Sequence, residues 1–383
     1  MALDLFAKLE KSDEELHPQF LTLRDSPGYA PARAELQRLQ DSFEDVDGNF
    51  VEQFQTSGFD ARTFELYLFE LFRGGGLAVD RTHGSPDFLV SRDDVTVAVE
   101  AVTANPTQAQ PYRTFGDEVT KDDPLHYVRH EAAVRLGSPL VSKLRKRYWE
   151  LAHVRGRPLV LAIEDFHAAG ALMQTSTPLI QYLFGMEQRW YHDADGNLVI
   201  SEHPIESHLK KNLKPIPSGF FSLPDGEMIS AVLWTNSGTI SKFNRMGQQA
   251  LGPLRKLKML RAGLAHDLDP NATMPIPFIY EVGRTDAPIE TWRQASALIV
   301  NPAARYPIPS GWLGAALEVR RNDAGIVSTA YEPFIPHSSM TSIYSADTPR
   351  SVLREHREEL ERLMASTLED ATPALRTLGT RGL

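Results

Sequence analysis

Two carboxylates at the edges of apolar segments have the residue types that metal chemistry needs. Asp87 opens the segment DFLV (87–90), and Glu100 lies within VTVAVEAV (95–102). Two buried carboxylates on neighbouring strands repel each other and lose hydration, which costs several kcal/mol unless a cation neutralises them. Mg²⁺ binds one or two carboxylates together with water and phosphate oxygens. The pair therefore predicts a divalent metal site with Asp87 and Glu100 as ligands.

A third carboxylate, Glu65, stands in the segment FDARTFELYLFELF (59–72). The apolar spacing of this segment predicts an amphipathic helix, and RGGG (73–76) ends it. Phe64 and Leu68 mark the buried face of that helix, so Glu65 can point towards the two strand carboxylates.

The elements around these acids follow a definite order. Strands are predicted at 77–80, 87–90 and 95–102, followed by a long excursion (103–137), a helix (139–154) and a strand (157–165). The continuous apolar run RPLVLAIED of the last strand favours a sheet that is covered on both faces. The predicted fold class is α/β, with strands and helices mixed along the chain.

This order, with FE on the helix, PDF before a strand and VEAV in the next strand, resembles the PD-(D/E)XK nuclease superfamily over about residues 59–165. The resemblance implies a restriction-endonuclease-like core sheet flanked by helices, and Mg²⁺-dependent cleavage of nucleic acid, with Mn²⁺ as an alternative ion. Asp87 matches the Asp of the motif, Glu100 its second acid and Glu65 the helical Glu of many members.

The chain departs from this motif at one position, because Val102 stands where the family has a lysine. Some members supply that lysine from the following helix, and Lys143 and Lys146 lie on such a segment here. Lys143 is the predicted replacement, because Leu140 and Leu144 indicate that its face packs inward. A lysine there would stabilise the charge that develops in the transition state.

The chain as a whole is predicted to have four parts. They are an acidic N-terminal helical arm (1–56), the nuclease-like core (57–167), an α+β region for substrate or partner contacts (168–347), and a C-terminal helix and tail (348–383).

The charge distribution suggests a basic groove despite a net charge of -10. Residues 1–60 hold 13 acids against 5 Lys and Arg, whereas residues 142–157 hold six Lys and Arg and residues 241–261 another six. Nucleic acid, with DNA as the expectation, is therefore the predicted partner. The predicted backbone contacts are Lys146, Arg147, Lys242 and Arg245, although solvated helix faces would give the same pattern.

The 383 residues include no cysteine, which excludes thiolate metal sites and fits a reducing cytoplasm. The chain also shows no apolar run long enough for a membrane span.

Three alternatives stay open. The fold could have lost catalysis and serve as a binding or assembly module. His126 and His130 have zinc-like spacing, but no third ligand is evident. The sequence also does not decide between a monomer, a homodimer and a complex with another protein.

Overall fold

The computed structural model describes residues 3–39, 42–46, 48–105, 127–166, 171–209 and 215–380. The α-helices in these ranges are α1 (Pro18–Asp25), α2 (Ala30–Gln37), α3 (Phe50–Gln55), α4 (Phe59–Gly74), α5 (Ala133–Leu144), α6 (Thr177–Phe184), α7 (Ile240–Ala250) and α8 (Arg350–Thr380). The strands are β1 (Ala78–Asp80), β2 (Phe88–Arg92), β3 (Val95–Ala104), β4 (Leu159–Asp165), β5 (Met186–His192), β6 (Leu198–Pro204), β7 (Ser207–Leu209), β8 (Pro215–Pro217), β9 (Ala231–Thr235), β10 (Leu257–Ala265), β11 (Ile276–Glu281), β12 (Ser296–Val300), β13 (Leu317–Asn322), β14 (Gly325–Ala330) and β15 (Pro336–Ser345).

The largest sheet has eight strands in the order β1-β2-β3-β4-β9-β12-β13-β14. β1, β2 and β3 pair antiparallel, whereas β4 joins β3 and β9 in parallel register. The structure therefore has helices together with one large mixed sheet, which confirms the α/β class.

Both faces of this sheet are covered, as the apolar run of the fourth strand predicts. Val97 and Val99 of β3 pack on the side of α4, and the alternate residues Ala98 and Val102 pack on the side of α5. Every residue of β4 is buried. This alternation fixes which face each polar side chain of β3 shares.

The N-terminal residues are helical, as predicted, but they do not form a separate arm. Phe20 of α1 and Phe54 of α3 pack in the same buried cluster as Phe59 of α4. Asn244 of α7 accepts a hydrogen bond from the Ala32 amide at 3.1 Å, which ties α2 to a distant part of the chain. The apolar faces of these short helices need a partner, and the sheet layer supplies it.

The boundary predicted at residue 167 is wrong, because the sheet continues across it. Ala162 of β4 pairs with Leu233 of β9, and the sheet runs on through β14. The region 168–347 also contains the three-stranded sheet β11-β10-β15 and the hairpins β5-β6 and β7-β8.

The helix predicted at 139–154 begins and ends earlier than expected. α5 covers Ala133–Leu144 after a π-helical turn at Tyr127–Ala132, and a 3₁₀ turn follows at Tyr148–Glu150. The predicted C-terminal helix is present as α8. No helix in the described ranges is both long and apolar enough to cross a membrane.

Candidate functional site

Asp87 directly precedes β2, and Glu100 lies within β3 immediately after the residues that pair with β2. The register pairs Phe88 with Val99, and its continuation by one residue sets Asp87 against Glu100. Oδ2 of Asp87 accepts a hydrogen bond from the Ala101 amide at 2.7 Å, which fixes the side chain against β3. By the alternation of β3, Glu100 shares the face of Ala98 and Val102, which α5 covers.

Two donors from outside β3 converge on one oxygen of Glu100. Lys143 Nζ donates to Glu100 Oε1 at 2.5 Å, and the Tyr148 hydroxyl donates to the same oxygen at 2.6 Å. Lys143 lies in the last turn of α5, whose buried residues Leu140 and Leu144 pack on the sheet. α5 therefore brings a lysine to Glu100, and this acid lies two residues before Val102, the position at which the motif has its lysine.

Tyr148 is the site residue that the sequence did not single out for chemistry. Tyr148 continues the four-residue spacing of Leu140 and Leu144, which predicts only an inward-facing side chain. The usable signal is chemical, because a buried tyrosine hydroxyl normally needs a hydrogen-bond partner. Here Glu100 is that partner.

Glu65 has a different surrounding from the one predicted. Its Oε1 accepts from Arg62 Nη1 at 2.8 Å, and its Oε2 accepts from Arg81 Nη2 at 2.9 Å. Arg62 stands one turn earlier on α4, and Arg81 follows β1, so the pairing could not be read from the motif. Glu65 holds two guanidinium groups beside Asp87, and both of its oxygens are engaged.

Burial and neighbouring charges shift the pKa values of Asp87, Glu65 and Tyr148. Burial raises the pKa of the Asp87 carboxyl to about 7, and the charges of Glu100 and Glu65 add to the rise. Burial also raises the pKa of Glu65, against the opposing effect of Arg62 and Arg81. The pKa of the Tyr148 hydroxyl is raised by burial and by its hydrogen bond to Glu100, so it stays a donor. Crowded carboxylates of this kind are typical of sites that bind a cation or a proton.

The residues fit a two-carboxylate metal site and no larger one. Asp87 Oδ1 and Glu100 Oε2 accept no hydrogen bond from any described residue, so each acid keeps one oxygen for a ligand. No group of three or more His, Cys, Asp or Glu side chains that could hold a metal occurs in the described part of the chain. Mg²⁺ completes such a site with water and substrate oxygens.

Lys242 and Arg245 were predicted to contact a nucleic-acid backbone, and the structure shows that this is wrong. Both side chains are buried against Glu290, at 2.8 Å from its carboxylate oxygens. Arg261 lies 3.4 Å from the same carboxylate. With side chains only 0% and 5% exposed, Lys242 and Arg245 cannot meet a phosphate. Lys256 is the exposed cation of the segment 241–261.

Lys146 and Arg147 are exposed in the turn between α5 and the 3₁₀ turn that carries Tyr148. Arg147 contacts Glu150 at 2.8 Å. Both cations stand within four residues of a side chain that contacts Glu100, so this part of the basic segment is beside the carboxylates.

The histidine pair of the zinc hypothesis gains no support. His126 lies outside the described residues, and His130 Nδ1 accepts a hydrogen bond from the Leu209 amide at 3.2 Å.

Comparisons with protein-family models, with curated proteins and with solved structures each give no match to this chain. The functional conclusion therefore depends on the geometry of the site.

Proposed function

We propose that this protein is a metal-dependent phosphodiesterase that cleaves nucleic acid, built on a PD-(D/E)XK-like core. The observation that carries the proposal is the contact of Lys143 with Glu100, opposite Asp87 on the neighbouring strand. A lysine at position 102, where the motif has it, would bring a cation to these carboxylates. Here Lys143 of α5 supplies the cation instead. Two acids and a lysine in one place form the set of groups that phosphodiester hydrolysis needs.

Each side chain has a definite task in this proposal. Asp87 and Glu100 would hold Mg²⁺ or Mn²⁺ through their remaining oxygens. When bound, such an ion lowers the pKa of a water molecule and offsets phosphate charge. Lys143 would stabilise the negative charge that develops on the phosphate, and Tyr148 keeps Glu100 oriented. The Ala101 amide does the same for Asp87.

The proposed partner is nucleic acid, with DNA as the first substrate to test. Lys146 and Arg147 would contact the nucleic-acid backbone, because they are exposed beside the site. The absence of cysteine fits a protein of the reducing cytoplasm, which we propose as its location.

The test is cleavage of single- and double-stranded DNA and RNA by the purified protein with Mg²⁺, with Mn²⁺ and with a chelator. We expect cleavage that needs the ion and that falls at least about 100-fold in Asp87→Asn and in Glu100→Gln. Circular dichroism of both variants checks that the fold is kept. Absence of cleavage of all four substrates by the wild-type protein would overturn the proposal.

The second candidate is a nuclease-like fold that binds without cleaving. The specific observation in its favour is that the acids already have protein partners, Lys143 and Tyr148 for Glu100 and two arginines for Glu65. Such pairing stabilises the site without an ion. Nucleic-acid binding that is indifferent to Mg²⁺ and unaccompanied by cleavage would select this candidate.

A further inference from the structure

A pocket opens beside Asp87, and its wall includes Arg62, Arg81 and His83. Both guanidinium groups are largely enclosed, with side chains 14% and 10% exposed. Arg81 lies 3.7 Å from the centroid of the Phe43 ring, so an aromatic face supports it from one side. The two arginines are therefore held in place before any ligand arrives.

The arginines have more donors than the protein uses. Arg81 donates to the Glu44 carbonyl oxygen at 2.6 Å and to Glu65 at 2.9 Å, while its buried Nε has no partner among the described residues. Arg62 donates to Gln53 and to Glu65. A guanidinium carries five N–H groups, so both keep unused donors. Glu65 is the one described carboxylate that contacts both of them.

Two acids also line the pocket and oppose an anion there. The Asp45 carboxylate accepts from the Gly48 and Phe50 amides at 2.8 and 3.1 Å, which partly satisfies it. Asp87 is a ligand of the proposed metal site, so a bound divalent ion would neutralise its negative charge. The pocket becomes favourable to an anion once that ion is present.

We infer that Arg62 and Arg81 bind a phosphate group of the substrate strand next to the phosphate that is cleaved. This inference rests on the proposed function and adds a substrate-binding subsite to it. Arginine forks match phosphate oxygens in pairs, and a site adjacent to Asp87 puts this phosphate one step along the strand. The phosphate could be an internal diester or a terminal monoester, and both offer the same oxygens.

The test is binding of a short fluorescent oligonucleotide, with and without a terminal phosphate, at several salt concentrations with Mg²⁺. The background is Lys143→Met, which keeps both carboxylates. We expect Arg62→Met and Arg81→Met each to weaken binding about tenfold. Each should also reduce the steepness of log K against log salt by roughly 0.7–0.9, as the loss of one phosphate contact does. Arg24→Met, at an exposed ion pair with Asp13 and Asp25, is the matched control.

Each result is decisive. Weaker binding with a smaller salt slope supports the subsite, and a loss confined to the phosphorylated probe assigns it to a strand end. If all arginine variants bind like the background, the subsite is wrong while the proposed function stands. If Arg81→Met does not fold, Arg62→Lys is tested instead, because lysine keeps the positive charge but cannot make the paired hydrogen bonds of a guanidinium group.

Failure of the oligonucleotide to bind any protein would instead count against the proposed function. The pocket is then tested by itself, through the thermal shift of the wild-type protein with inorganic phosphate and Mg²⁺. A stabilisation that Arg62→Met removes supports an anion pocket, and no stabilisation overturns it.

Discussion

Glu100 receives two hydrogen bonds on one oxygen, from Lys143 and from Tyr148. Both donors come from residues that stand about forty-five positions after Glu100 in the chain. Charge-assisted hydrogen bonds are shorter and stronger than neutral ones, so this pair of contacts holds the carboxylate firmly. The other oxygen is left for a ligand, and the roles of the two donors can be tested separately.

Replacement of Lys143 is expected to slow Mg²⁺-dependent cleavage by two to three orders of magnitude, because one preorganised transition-state donor is lost. The variant is Lys143→Met, measured in single-turnover cleavage assays with binding of the probe recorded in parallel. Lys8→Met is the matched control, since Lys8 is an exposed lysine to which the proposed function gives no role. Equal rates for wild type and Lys143→Met would disprove the role of this lysine.

The raised pKa of Asp87 predicts a pH-dependent free energy of unfolding. The ordinary pKa is 3.8 and the folded value is about 7, so the folded protein holds this proton more tightly. Stability is therefore lost as pH rises through that window. When the pH is raised from 5 to 8, the free energy of unfolding of Asp87→Asn should increase by about 1–2 kcal/mol relative to that of the wild-type protein.

Chemical denaturation at both pH values measures this difference, with Asp94→Asn at an exposed position as the control. Addition of Mg²⁺ at pH 8 should stabilise the wild-type protein and leave Asp87→Asn unchanged. A difference between the two proteins that does not vary with pH would contradict the predicted coupling.

At the scale of elements, the position of Lys143 depends on how α5 packs. Gly137 of α5 faces the ring of Tyr182 in α6, and a Cβ at this glycine would overlap that ring. The two helices approach closely at this point, which sets the height of the last turn of α5 above the sheet.

Gly137→Ala should therefore destabilise the fold by about 1–3 kcal/mol through overpacking, although alanine favours a helix. Cleavage should fall by about ten- to a hundredfold, because a displaced Lys143 no longer meets Glu100 correctly. Denaturation and cleavage rates of the same preparation check both effects. Gly74→Ala is the control, since its Cβ would lie at an ordinary 3.6 Å from Trp292; similar results for both variants would contradict the packing role of Gly137.

The elements near the site could be predicted because their signals are local. The apolar periodicity of α4 and the β-branched run of β3 need no distant partner, and the order of elements up to β4 followed from them. Side-chain partners could not be predicted in this way. Glu65 contacts Arg81 only because the fold brings the two residues together. The basic residues around Lys242 have the pattern of a solvated surface, and only the structure shows that Glu290 lies beside them.

At the scale of the molecule, Glu290 joins α7 to the three-stranded sheet. Three cations surround its carboxylate, Lys242 and Arg245 from α7 and Arg261 from β10. Although burial acts to raise it, these charges hold the pKa of Glu290 well below its usual range. Burial lowers the pKa of Lys242 to about 8. The carboxylate is the counter-ion on which this junction depends.

Glu290→Gln should lower the free energy of unfolding by about 3–5 kcal/mol, because it leaves buried cations without a countercharge. Denaturant titration measures the loss, and Asp286→Asn in an exposed pair with Arg284 should change little. A near-neutral Glu290→Gln would show that the junction does not rely on this ion cluster.

The separation of Lys143 from the strand acids also has a consequence for synthesis of the chain. On the ribosome Asp87 and Glu100 emerge first, and the lysine and tyrosine that contact Glu100 follow only after the excursion. β4, which pairs with β3, is completed later still, and β9 follows it. A nascent chain therefore carries both acids without their lysine, and under the proposed function it would not cleave nucleic acid until translation has passed the core.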